Sequence, residues 1–342
     1  MNMLTRPGAY FPNIQCARAC AALAVVGYHM GVLPAGQAGV DVFFVISGFI
    51  MSQVAPREGH AFFRKRLIRI VPLYWLTTLG VYAIATWQPQ WLNSTTARAD
   101  YLVKSLLFIP YLKENGHWGP LNSNGWTLEY EMLFYVVVVA LALLLVRGRH
   151  ATAFAALLLA TFCAYVAVHG TPNAVVDHFG QPFVLEFGLG VLVHRALATG
   201  IAGRASPRVW IGLVAASVTA ITLFQLHCGT PAGFARVAGW GAPASVLIIA
   251  LIALDLNGRS VTSPSAAALG AASYSIYLLH PYVIGLATKV AGVHADLDTP
   301  RGVLATIAVM TAVCACGYAC HAWIERPIVT ALHRSLPRRR KA

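Results

Sequence analysis

Six ionisable side chains, His29, Asp41, Glu129, Glu131, Glu186 and His280, fall inside or at the ends of apolar stretches, where a charge is expensive to keep. A histidine with a carboxylate at its own depth is an acid–base pair, able to take a proton from a hydroxyl and pass it on. His29 and Asp41 fit that description: each lies six residues from Ala35, where the chain turns, so helices joined there return both to one level. An Asp that neutralises a helix N-terminus is the equally weighted alternative for Asp41. Glu131, at a similar expected depth, shares a helix face with Thr127 and Tyr135, whereas Glu129 suits a simple dipole partner.

Arg18 precedes His29 by eleven residues. A helix turns about three times plus ~20° over that interval, so both side chains project from one face about 16 Å apart. Singly, Arg18 reads as a snorkelling cation and His29 as a satisfied core group; together they mark a polar path. Arg64, Lys65, Arg66 and Arg69 cluster ahead of another apolar stretch, with Arg66 and Arg69 as i, i+3 neighbours. Clustered guanidinium groups suit phosphates, and equally anionic lipid headgroups or plain topology. Ser273, Tyr277 and His280 share a third face, with Pro281 placed to kink it. Tyr277 or His280 could donate a hydrogen bond to a developing oxyanion. No Gly-x-Ser-x-Gly elbow accompanies Ser273, so direct transfer is favoured, with an acyl-His29 or acyl-serine intermediate left open.

The elements that must hold these groups are read from composition. Of 342 residues 58% are hydrophobic and 11% charged, against about 25% charged in soluble domains. That excludes a soluble fold, disorder and a secreted disulfide scaffold, and the net charge of +13 has to be tested as a topology signal before a nucleic-acid partner is considered. Apolar windows at 14–33, 39–54, 67–87, 125–146, 150–168, 179–198, 208–226, 236–255, 267–290 and 302–324 give ten candidate spans. With the N-terminus inside, 19 Lys and Arg fall on the inner side and 6 on the outer, as the positive-inside rule requires. Both termini are expected in the cytoplasm, without a cleavable leader. Residues 101–112 carry Lys104 and stop at Pro110, and read as interfacial or re-entrant. Trp87, Trp91 and Trp118 suit an outer aromatic belt. The seven cysteines form no framework, and no metal is expected. The expected fold is all-α, a polytopic bundle of about ten helices forming one domain over 1–342, with motifs in 14–327 and a basic tail at 328–342.

Six segments occur in order: Arg18-x10-His29; Gly39 to Phe49 with Asp41 and Ser-Gly-Phe; Phe63-Arg-Lys-Arg-Leu-Ile-Arg-Ile-x-Pro-x-Tyr74; Trp126-Thr-Leu-x-x-Glu131-x-x-Phe-Tyr135; Ser273-Tyr-Ser-Ile-Tyr-Leu-x-His280-Pro281; and Glu325-Arg-Pro327. Together they resemble the membrane acyltransferase-3 family over residues 18–327, and within it the bacterial exopolysaccharide O-acetyltransferases. The resemblance implies acyl-CoA, here acetyl-CoA, as donor rather than a resident cofactor. It also implies a hydroxyl of a glycan or lipid-linked saccharide as acceptor at the far side of a bacterial inner membrane. Polysaccharide-biosynthesis machinery is an implied partner and nucleic acid is not. The resemblance ties Arg18 and His29 to activity, with Arg66 and Arg69 contributing. The expected site therefore has His29, Asp41 and Glu131 as catalytic groups, Arg18, Arg64, Arg66 and Arg69 on the donor, and Ser273, Tyr277 and His280 near the oxyanion or acceptor. The rival is a transporter of lipid-linked sugars, although no internal repeat is evident.

Overall fold

A computed structural model describes residues 10–92, 95–114, 116–144 and 150–335. Its helices are α1 (Pro12–His29), α2 (Gly39–Glu58), α3 (Phe62–Trp87), α4 (Ala99–Leu106), α5 (Trp126–Leu144), α6 (Ala151–His169) and α7 (Ala174–Phe179). They continue with α8 (Val184–Ala198), α9 (Pro207–Cys228), α10 (Gly233–Arg236), α11 (Ala242–Leu256), α12 (Pro264–Lys289), α13 (Pro300–Cys320) and α14 (Arg326–Arg334). Two π-helical turns, Val237–Gly241 and His321–Glu325, join α10 to α11 and α13 to α14. Among the described residues there is no strand, only an isolated bridge between Leu112 and Trp118.

Prolines set the starts of α1, α9, α12 and α13, in the first turn, where a missing N–H removes no intrahelical bond. Gly170 and Gly229 end α6 and α9 at φ of +63° and +69°, a conformation that a side chain would strain. Pro281 does not end α12, which runs on to Lys289.

Helix occupies each of the ten apolar windows. Six segments are long and apolar enough to cross a bilayer on length and composition alone: Pro34–Glu58, Phe62–Trp87, Ala151–His169, Pro207–Cys228, Gly233–Leu256 and Pro300–Arg334. The window expected at 179–198 begins as helix only at Val184 and has 15 residues, about 22 Å of rise against a hydrocarbon core of ~30 Å. At 8 residues α4 is far too short to cross. Arg6, Arg147, Arg149, Arg338, Arg339, Arg340 and Lys341, which enter the charge count, lie outside the described residues.

The outer surface is that of a membrane protein. Leu157, Leu192, Leu226 and Leu304 all point outward, on a scale that water would penalise and lipid would not. Trp87 and Trp91 are exposed where α3 ends, and Trp323 is exposed beyond the far end of α13, so indole rings stand at both rims of the apolar band.

Lipid supplies no hydrophobic drive for one helix to pack on another, so close approach of backbones has to do that work. α2 packs on α8, α1 on α12 and α12 on α13. A Cβ added at Gly48 would stand 2.0 Å from the Phe187 carbonyl oxygen, and one at Gly190 would stand 2.2 Å from that of Val45. Gly270 of α12 lies as closely against α1, 2.2 Å from the Gln15 carbonyl oxygen by the same measure. The paired helices hold the chemistry-bearing groups at two levels. One end of the bundle carries His29 and His280, and the other carries Lys65, Arg66 and Arg69.

Substituting Gly190→Ala should lower the melting temperature in detergent, by overpacking that costs about 1–3 kcal/mol. Gly212→Ala, where a Cβ meets nothing within 4 Å, should leave it unchanged or raise it.

Candidate active site

Arg18 lies midway along α1, and its guanidinium is oriented by neutral groups. Nη2 donates to Ser273 Oγ at 3.0 Å and Nη1 to Gln15 Oε1 at 3.5 Å, and it forms no ion pair among the described residues. It faces a cavity of about 420 Å³ enclosed by α1, α2, α3, α5 and α12, with α14 at its basic end. That volume lies within the usual range for a small-molecule site, ~300–1,000 Å³.

The cavity changes character along its length. At the basic end it is lined by Lys65, Arg66 and Arg69 of α3 and His333 of α14. Glu58 is the carboxylate at this end, accepting from Lys65 Nζ at 3.1 Å and Arg66 Nη2 at 3.4 Å. Arg66 Nε is buried without a partner, and Arg69 makes no hydrogen bond or ion pair among the described residues. Cationic donors thus exceed carboxylates, the condition for holding an anion. Arg64, expected with this set, is exposed and does not line the cavity.

In the middle, opposite Arg18 and Ser273, Glu131 accepts from Ser47 Oγ at 2.9 Å and from the Tyr135 hydroxyl. Its other carboxylate oxygen makes no hydrogen bond among the described residues. At the far end, Thr127, Tyr277 and Phe43 line the wall. Thr127 Oγ1 is hydrogen-bonded to Tyr277 Oη at 3.1 Å, and the Phe43 ring stands edge-on to Tyr277 with centroids 6.2 Å apart.

His29 and His280 are beyond that wall and do not line the cavity. Their rings are 4.8 Å apart, with His280 Nε2 3.3 Å from His29 Nδ1, and Tyr277 lies 6.0 Å from His280 on the cavity side. His29 is exposed whereas His280 is fully buried. Pro281 contributes here. It has no N–H to give the Tyr277 carbonyl, and Asn124 Nδ2 donates to that oxygen instead at 2.7 Å, which ties α12 to the start of α5.

Three further sequence-based expectations change. Asp41 does not orient His29: its carboxylate receives two parallel hydrogen bonds of 2.9 Å from Nε and Nη2 of Arg236, all of it buried. Glu131 does not reach His29 either; it belongs to the cavity. For Glu131 the expected depth changes as well: it stands at the level of Arg18 and Ser273 rather than at that of His29. His280, expected at the oxyanion, is instead the neighbour of His29, while Ser273 and Tyr277 reach the cavity.

Several residues were missed. Arg236 was counted as an outer-loop charge, although it lies at the very edge of an apolar window, which was the available signal. The guanidinium lies over the rings of Phe183 and Trp240, 4.9 and 5.0 Å from their centroids. His178 was missed too: it pairs through Nε2 at 3.2 Å with Glu129, which is buried rather than a simple dipole partner, and Trp118 stacks on that imidazole. Burial pushes the ammonium of nearby Lys113 down, opposed by the Glu129 charge. His333 reaches the cavity because Glu325, buried at the π-turn, accepts from Ser275 Oγ at 2.7 Å and lies 2.8 Å from His321 Nδ1, which fixes where α14 departs. All seven cysteines are free, and among the described residues no three His, Cys, Asp or Glu side chains converge as a metal set.

A family model described as an acyltransferase domain matches residues 11–320. The chain is 33% identical over 319 residues to the exopolysaccharide production protein ExoZ of Rhizobium meliloti, covering 89% of this chain and 92% of that protein. It is 29% identical over 286 residues to the putative membrane-bound transacylase BcsY of Komagataeibacter xylinus, with 78% and 71% covered. With the putative peptidoglycan O-acetyltransferase YrhL of Bacillus subtilis it shares 25% identity over 374 aligned positions, 98% of this chain and 57% of that one. No solved structure matches the chain.

The Asp41–Arg236 pair allows a direct test. Removing one partner of a buried ion pair costs about 3–5 kcal/mol, because the other charge is left unpaired. Arg236→Met should therefore lower thermal stability in detergent strongly, and Arg236→Met combined with Asp41→Leu should recover most of the loss.

Proposed function

The chain belongs to the membrane acyltransferase-3 family and is an O-acyltransferase, and from that premise we propose that it moves an acetyl group from cytoplasmic acetyl-CoA to a hydroxyl of an extracytoplasmic or lipid-linked glycan. One observation carries this reading: a cavity with a cationic mouth, a polar middle and a wall behind which a histidine waits. A CoA thioester has the same order of parts. Its phosphates match Lys65, Arg66, Arg69 and His333, and its amide-bearing arm matches Arg18, Ser47 and Glu131. The acyl carbon then lies toward Tyr277. The finer topology belongs to the same proposal: ten crossings of a bacterial inner membrane, the short α8 being completed by the turn at 180–183 ahead of it, with both termini in the cytoplasm, the basic end inside and the histidine end outside.

His29 is the general base in this mechanism. It takes the acceptor proton while the hydroxyl oxygen bonds to the acyl carbon, the carbon–sulfur bond breaks, and the proton passes to the departing thiolate, so the products are the ester and free CoA. A positioned base is worth about 10²–10⁴-fold. Tyr277, whose hydroxyl is held at the wall by Thr127, is the donor placed for the oxyanion. The glycan acceptor is supported by the names carried by similar proteins, one in exopolysaccharide production and one a putative peptidoglycan O-acetyltransferase. Membership of an enzyme family displaces the alternative of a lipid-linked-sugar transporter without transfer chemistry.

Membranes carrying the chain, incubated with acetyl-CoA and a lipid-linked saccharide, should release CoA thiol and add one acetyl group to the acceptor by mass. His29→Ala should abolish both, by at least about 10²-fold, while the protein stays in the membrane; full activity would refute the role. Arg66→Ala with Arg69→Ala should raise the KM for acetyl-CoA about tenfold or more, and an unchanged KM would remove the phosphates from that mouth.

A further inference from the structure

We infer that His280 is a positioning residue that fixes the tautomer of His29, leaving His29 Nε2 as a free lone pair toward the acceptor. The inference rests on the proposed role of His29 as base and adds the group that prepares it. The environment of each ring nitrogen carries it. His280 Nδ1 lies 3.3 Å from the Ile276 carbonyl oxygen and His29 Nδ1 lies 2.9 Å from that of Val25, in each case one helical turn back. A carbonyl oxygen only accepts, so both Nδ1 atoms carry the hydrogen.

A neutral imidazole holds one hydrogen, so His280 Nε2 has none and can only accept. It is 3.3 Å from His29 Nδ1, whose N–H is therefore shared between the Val25 carbonyl and His280. His29 Nε2 is then unprotonated, and it makes no hydrogen bond among the described residues. The opposite tautomer would leave two lone pairs, His29 Nδ1 and the Val25 oxygen, facing each other at 2.9 Å, an arrangement that repels.

Burial strengthens the lock. His280 is fully buried and its ring is flanked by those of Tyr277 and His29, so it cannot turn to water for another partner. In the transfer step the acceptor O–H bond breaks and His29 Nε2 gains the proton. Nδ1–H continues to donate to Val25 and His280, and Nε2–H then protonates the CoA sulfur as the thioester bond breaks. His280 neither gains nor loses a proton in the cycle. It fills the place that a carboxylate takes in a Ser–His–Asp triad, with a neutral acceptor that adds no charge to the apolar interior.

The test compares His280→Leu and His280→Gln in membranes containing the full chain, with His29→Ala as a control. Folding is followed by size-exclusion chromatography in detergent. Leucine has no acceptor, whereas the glutamine carboxamide oxygen can take the His29 hydrogen. His280→Leu is expected to lower kcat about 10–100-fold with the KM for acetyl-CoA within about twofold, since tautomer control affects the chemical step rather than binding. His280→Gln is expected to recover most of that loss. Wild-type kcat in His280→Leu, or equal loss in both variants, would overturn the lock. If His29→Ala stays active, the base assignment itself fails; if His29→Ala is dead and His280→Leu is fully active, only the role of His280 fails.

Discussion

Arg236 reaches Asp41 with two parallel hydrogen bonds in a place where neither group can find water, and much of the histidine end is arranged around that necessity. The pair joins the first turn of α2 to the short helix α10, and Glu186 of α8 stands beside both. Phe183 and Trp240 supply ring faces for the guanidinium. In hydrocarbon every polar group must be satisfied within the protein. A charge pair is therefore less a source of net stability than a registration device: parted, it costs several kcal/mol, and only one arrangement of three helices keeps it whole. The hairpin from α1 to α2 is thus fixed on one side by Arg236 and on the other by α12, which puts His29 beside His280.

Rise along a helix was legible in the residues and rotation about it was not. Hydropathy windows located ten helices, and spacing placed Arg18 well below His29, as the structure does. The same spacing put Asp41 and His29 at one level, and the inference that they touch failed, because the azimuth of α2 is set by Gly48 and Gly190 against the backbone of α8. Glycines carry no polar signal that would announce this. Arg236 was missed for a related reason: a rule that sorts cations by side treats every Arg near a helix end as a marker of topology, and pairing across 195 positions of sequence leaves no local trace.

Both π-turns stand next to a buried charge. Val237–Gly241 follows Arg236, and His321–Glu325 ends on Glu325. A π-turn inserts one extra residue into a helix and swings the next turns around the axis. Here one turn lets a cation at the end of α10 face inward while α11 continues the same rod. The other lets Glu325 bind Ser275 while α14 leaves at the angle that brings Val329 and His333 to the cavity mouth. Proline does comparable work in α12. Pro281 frees the Tyr277 carbonyl without ending the helix, and Asn124 takes that oxygen.

The wall of Tyr277 and Phe43 has a consequence for the cell as a whole. A polar cavity that joined Arg66 directly to His29 would run from one end of the bundle to the other and leak water and protons across any bilayer that it spanned. The Tyr277 and Phe43 rings stand between that cavity and His29, which does not line it. In the proposed reaction the acyl group has one aromatic layer to pass. Insulation and catalysis are thus demands on the same few atoms, and a larger opening that admitted bulkier acyl chains would have to be weighed against the cost in membrane potential.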